Sequence, residues 1–177
     1  MTVTDVNVVK SAIFERPDDA NKGTLGSLLC VCGSYGMAGA AVMSARGALR
    51  TGIGLAKCAL PRSIYPIVAQ TILESVYYPL SENADGRISK VNVPFLVSES
   101  CKSSATLVGC GLGVCDDTLK IVFSLIENST TPLVLDADAL NCVAKQPEIL
   151  LRKKAPIIIT PHPGEMSRLT GLATPLV

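Results

Sequence analysis

Short apolar runs, most of them ended by glycine or a polar residue, alternate along this chain with stretches where apolar residues recur every three or four positions. The first pattern suits strands buried on both faces, the second suits amphipathic helices. Residues 27–33 (SLLCVCG) form the first apolar run, and 39–51 (GAAVMSARGALRT) follow at helical spacing, with Gly52 as the expected stop. The same pairing predicts a strand at 54–60, a helix at 62–73 with Pro66 near its start, and a strand at 74–80. A weak helix is predicted at 91–101 and a strand at 105–111. The helix predicted at 116–128 opens on two aspartates, which suit the positive end of its dipole. A strand at 131–138, a helix at 139–145, a strand at 155–160 and a helix from 164 complete the series, while residues 1–24 read as irregular and polar. Strand and helix alternating in this way predict an α/β fold, with a mainly parallel sheet covered by helices on both faces, in one domain spanning 1–177.

Composition narrows the class. The chain is 48% hydrophobic and only 18% charged, with a mean hydropathy of +0.40. Such apolarity fits a doubly covered sheet or an interface. The net charge of +1 and the absence of basic runs exclude a polyanion-binding surface, so no nucleic acid partner is expected. No apolar stretch reaches the roughly 18 residues of a membrane span, and the N-terminus reads as neither a secretory nor a transit segment. The seven cysteines are odd in number and lack paired C-x-x-C spacing, which predicts buried thiols in a reducing, cytoplasmic setting.

The chemistry-bearing residues collect where strands are expected to end, the edge at which open α/β sheets bind ligands. In GSYGMAGA (33–40), Gly36 and Gly39 belong to a loop that is either a tight turn for helix–sheet packing or an anion cradle at a helix start. GCGLG (109–113) is either a plain turn or a place where backbone approaches a flat ring or phosphate. In LDADALN (135–141), Asp138 is expected to cap the next helix. Asp136 is the candidate for orienting a ligand or hydrated metal, and Asn141 lies one turn further along the rim. In TPHPGE (160–165), two prolines stiffen the turn around His162, the only histidine, and Glu165 is expected to serve the helix start.

Together, NKGTLG (21–26), residues 33–60, VGCGLG (108–113), LVLDADALN (133–141) and IITPHPGEMSRLTG (158–171) resemble the ADP/ATP-dependent NAD(P)H-hydrate dehydratase family, of the ribokinase-like superfamily. The resemblance implies repair of hydrated NADH and NADPH (NAD(P)HX). A nucleotide, ADP or ATP with Mg²⁺, activates the ring hydroxyl before water is lost. It implies that Ala40, Gly111 and His162 line the substrate site, with Lys22 offering a cation near the phosphates and Gly36, Gly39, Asp136 and Asn141 in support. No metal bound by protein ligands is implied. A homo-oligomer, or a separate C-terminal portion, is the implied partner.

The chain departs from the family pattern at Asn21, where histidine is common, and at Cys110, where the family has proline. It also ends at Val177, before the family's nucleotide loop and its Gly-Thr-Gly-Asp segment with the catalytic aspartate, and neither GTGD nor GSGD occurs in it. An incomplete fold with one flank of the sheet uncovered is therefore expected. The alternatives are a small-molecule kinase of the same superfamily, acting on a hydroxyethylthiazole or hydroxymethylpyrimidine, and a non-catalytic ligand-binding fragment.

Overall fold

The computed structural model describes residues 18, 20 and 23–176. Lys22 lies outside the described residues, as does most of the segment predicted to be irregular. Six strands, β1 (Ser27–Val31), β2 (Leu55–Pro61), β3 (Val76–Leu80), β4 (Ala105–Val108), β5 (Leu133–Leu135) and β6 (Ile157–Ile159), form one sheet. Its order is β3-β2-β1-β4-β5-β6, and every pairing is parallel. The intervening helices are α1 (Ala38–Arg50), α2 (Tyr65–Thr71), α3 (Val93–Cys101), α4 (Asp116–Asn128), α5 (Asp138–Val143) and α6 (Pro163–Thr170).

Alternation along the strands divides the core into two layers. Cys30 of β1 and Cys32 just beyond its end, with Cys58 and Leu60 of β2, face Ala41 and Ala45 of α1 and Val68 of α2. Leu29 and Val31, with Val108 and Leu135, face Leu96 of α3, Ile121, Val122 and Leu125 of α4, and Leu140 and Val143 of α5. Helices therefore cover both faces, as the continuous apolar runs require. Cys30, Cys32, Cys58 and Cys142 are buried as small apolar groups. The hydrogen bond with Cys110, together with complete burial, holds the Cys32 thiol well above its ordinary range. Burial is the main cause that pushes Cys142 up to about 11.

Helix ends follow the sequence signals. Gly52, at φ 93°, ends α1, with Gly52 N–H donating to Leu49 and Ile53 N–H to Ala48. That paired pattern is a Schellman stop. Pro66 sits in the first turn of α2. The strands are shorter than their apolar runs at β4, β5 and β6, because the last residues of each run turn out of the ladder to build the rim.

The strand order reverses between β1 and β4: the chain moves outward through β2 and β3, then returns to β1's other side. Open α/β sheets bind ligands outside the carboxyl ends of strands at such a reversal.

Candidate functional site

The rim at the carboxyl ends of β1, β4, β5 and β6 is built from four loops that bond to one another. After β1, Gly33 (φ 84°) donates its N–H to the Cys110 carbonyl at 2.9 Å, and the Ser34 hydroxyl donates to the Gly111 carbonyl at 2.8 Å. The two glycine-rich loops are thus tied across the switch point. A Cβ on Gly111 (φ 65°) would lie 2.6 Å from Cβ of Ala40, so the two predicted substrate residues touch. A Cβ on Gly39 would meet nothing within 4 Å, and the same holds for Gly36, whose φ of 83° favours glycine for conformational reasons. The loop therefore packs tightly at Gly111 and stays open at Gly36 and Gly39. The start of α1 has no side-chain cap and no acidic residue in its first turn, which leaves its field free for an anion.

Beyond β5 the backbone takes an unusual path. Ala137 has φ 49°, the one non-glycine residue at positive φ among the described residues. Strain of this kind persists only where surroundings fix it. Gly109 supplies that surrounding: at φ 124° it leaves room for the Asp136 carbonyl and for Ala139, whose Cβ would be 2.7 Å from any Cβ on Gly109.

Asp136 joins three strand ends. Its carboxylate accepts from the Thr160 hydroxyl at 2.8 Å and from the Cys110 thiol at 3.2 Å. Both oxygens are engaged, so Asp136 braces the rim, and among the described residues no cluster of three or more His, Cys, Asp or Glu could hold a metal. The expectation for Asp138 is corrected. It is the first residue of α5, makes no cap bond to its own helix, and instead accepts from Gly113 N–H at 2.8 Å. As the first helical residue rather than the N-cap, which is Ala137, Asp138 is out of the capping position, and its carboxylate serves the loop after β4. Asn141 continues this network, donating to Asp138 at 3.4 Å and accepting from Arg168 Nε of α6 at 2.8 Å.

His162 is the N-cap of α6. Glu165 accepts the His162 backbone N–H at 3.0 Å, completing a capping box, as its spacing predicted. The imidazole is occupied by its own turn. Nδ1 accepts from Gly164 N–H at 3.0 Å, and Nε2 lies 3.2 Å from the buried Glu165 carboxylate. With Nδ1 accepting, Nε2 is the ring nitrogen left to donate. The ring nevertheless stands 62% exposed on the same rim as Ala40 and Gly111. It is two strands from the Gly111 loop, roughly 10 Å by ordinary strand spacing. Asp136 and Thr160 bridge that gap.

One part of the rim went unread in the sequence: residues 81–89 (SENADGRIS), between β3 and α3. Tyr35 N–H donates to the Gly86 carbonyl at 2.9 Å, and Arg87 lies across Gly113, where a Cβ would fall 2.8 Å from Arg87 Cδ. The available signal was the turn-forming Asn-Ala-Asp-Gly stretch, which marks a turn but not its destination. A hollow of about 400 Å³, lined by Tyr35, Ser63, Glu82, Asn83, Asp85 and Gly86, opens beside this loop. Another, of about 460 Å³, is lined by Arg46, Leu49, Arg50, Thr71, Ile72 and Glu74 at the far end of α1, and no rim cluster contributes to it.

The comparisons bear on this rim as a whole. The sequence profile of the NAD(P)H-hydrate dehydratase family matches residues 28–175. The bifunctional NAD(P)H-hydrate repair enzyme of Thermofilum pendens is 37% identical over 88% of this chain, which spans 30% of that relative. The crystal structure of the ADP/ATP-dependent NAD(P)H-hydrate dehydratase of Bacillus subtilis, co-crystallised with ATP and Mg²⁺, is 28% identical with a TM-score of 0.74, and covers 96% of this chain and 56% of its own. A ribokinase-like superfamily protein of Enterococcus faecalis superposes with a TM-score of 0.77 at 20% identity, over 92% of this chain and 54% of its own. The chain thus spans 30% of the repair enzyme and just over half of the two solved structures. The fold is ribokinase-like, all four rim loops lie inside the matched span, and the chain belongs to the NAD(P)H-hydrate dehydratase family.

Proposed function

We propose that this chain carries the substrate side of a nucleotide-dependent hydro-lyase that returns hydrated NADH and NADPH to NADH and NADPH. The observation that carries the reading is the contact of Ala40 with Gly111 at the β1–β4 reversal, with both loops bonded across the gap. A side chain larger than Ala40, or any side chain at Gly111, would fill the space that a flat ring needs. The uncapped start of α1 supplies donors for a phosphate of the same ligand.

His162 takes the outer position. Its Nε2 proton is directed at Glu165, and a substrate hydroxyl or phosphate oxygen gains it by displacing that carboxylate contact. The Asp136–Thr160 bond fixes the turn's distance from the Gly111 loop, so His162 acts at a set reach from the ring. Lys22 would add a cation near the phosphates. The phosphoryl donor is ADP or ATP, with Mg²⁺ carried on its phosphates. The transfer also needs a base at the ring hydroxyl, a role for which Ala40, Gly111 and His162 offer no carboxylate.

The test supplies hydrated NADH with ADP or ATP and Mg²⁺ and follows the return of NADH absorbance. It is run with the 177-residue chain alone and with the C-terminal half of a dehydratase added in trans. Binding of hydrated NADH by the chain, with turnover in at least the supplemented mixture, is expected. Failure to bind hydrated NADH in either mixture would overturn the proposal.

A further inference from the structure

We propose that Arg87 is a phosphate-binding residue of this site, held over the glycine-rich loop by the 81–89 segment to meet a phosphate of the bound dinucleotide. The inference rests on the proposed function and adds a residue that neither the motifs nor the comparisons assign.

The segment is fixed from within and from without. Asn83 Oδ1 accepts from the N–H groups of Asp85 and Arg87, both at 3.1 Å, and Asn83 N–H donates to the Arg87 carbonyl at 2.9 Å. Asn83 Nδ2 donates to the Asp117 carboxylate of α4 at 2.9 Å, and Lys90 N–H donates to the other oxygen at 3.1 Å. These bonds hold the Asp117 carboxyl below its usual range, with the Asn83 bond the largest cause. The loop is therefore braced, and Arg87 is placed rather than merely tethered.

Its placement depends on two further glycines. Gly86 lets the segment rest on the Tyr35 side chain, and Gly113 lets the Arg87 side chain lie flat two residues beyond Gly111. Among the described residues the guanidinium has one partner, Asp85, at 3.0 Å through Nη1. Asp85 is 68% exposed and Arg87 31%, so solvent screens the pair from the Asp85 side and a competing anion can displace that carboxylate. Four other rim charges are committed: Asp136 and Asp138 accept from neighbouring loops, Glu82 accepts from Ser63, and Arg168 donates to Asn141. The guanidinium fork matches a phosphate's paired oxygens.

The experiment titrates the 177-residue chain with NADPH by fluorescence, and with dihydronicotinamide riboside as a probe lacking phosphate. R87Q is expected to weaken NADPH binding roughly tenfold, as loss of a charge-assisted bond does, and to leave the riboside unchanged. R87K should recover part of the loss, and the salt dependence of NADPH binding should flatten in R87Q. D85N, which frees the guanidinium, should tighten NADPH roughly two- to fivefold. Equal affinity of R87Q and wild type for NADPH, or equal weakening for both probes, overturns the assignment while the proposed function stands. A wild-type chain that binds neither probe overturns both.

Discussion

His162 and Gly109 show how single residues shape this rim. The prolines beside His162 limit the turn, but the imidazole owes its orientation to Gly164 and Glu165, which occupy both nitrogens. The capping role and the exposed ring are compatible, because the ring faces remain open while the edges are held. Gly109 is a stricter constraint. Its φ of 124° is forbidding for an L side chain, and any Cβ there would collide with the Asp136 carbonyl and Ala139. Gly109→Ala should cost more than about 3 kcal/mol, since backbone strain and overpacking add. Urea denaturation measures this, and a loss under about 1 kcal/mol would mean that the β4 and β5 loops do not approach as described. The sequence showed glycine here. It did not show that the neighbour demanding it comes from β5, because a glycine's letter carries no partner.

Among the elements, α3 holds the clearest ionic device. Glu99, near its C-terminal end, is buried and accepts from Lys102 at 2.9 Å and Tyr78 at 3.1 Å, with Lys57 of β2 at 3.6 Å. The Lys102 bond, then the Tyr78 bond and the charges of Lys102 and Lys57, hold its carboxyl below the ordinary value against the opposing effect of burial. A depressed folded value means the stabilisation is present above the unfolded carboxylate range and is lost as pH falls through the folded value. Glu99→Gln should therefore lower stability by about 1–3 kcal/mol near pH 7. The penalty should begin to shrink as pH falls below the unfolded carboxylate value, about 4.3, and should be gone once pH has passed the depressed folded value. Thermal melts of both proteins across pH 3–8 give the comparison, and a penalty independent of pH would contradict the charge-based account. The helix was legible from its periodicity, though only weakly. Its partner on β2 was not, since residues 57 and 99 meet only once the sheet is ordered.

At the scale of the molecule, the sheet has two edges of different character. β3 packs Tyr77 and Tyr78 against the body, while β6 exposes Ile158 at 59% and Ile159 at 37%. Among the described residues no strand pairs with the outer side of β6, and an apolar edge of that kind invites pairing with another chain. Ile158→Lys should reduce self-association in sedimentation or light scattering at a stability cost under about 0.5 kcal/mol, because the side chain is not part of the core. A cost of several kcal/mol would mean that Ile158 is buried in solution.

The sequence by itself determined the alternation of strand and helix, the two-sided burial of the strands, the helix stop at Gly52 and the helix start at Pro66, and the four rim clusters. These depend on local periodicity, backbone restriction and capping, all of which act within a few residues. Tertiary structure alone decided that Ala40 touches Gly111, that Asp136 braces three strand ends, that Asp138 serves a loop instead of its own helix, and that Arg87 crosses Gly113. Each of these pairs residues from different strand ends. Their proximity is set by strand order and by the reversal at β1 and β4, which no local pattern encodes.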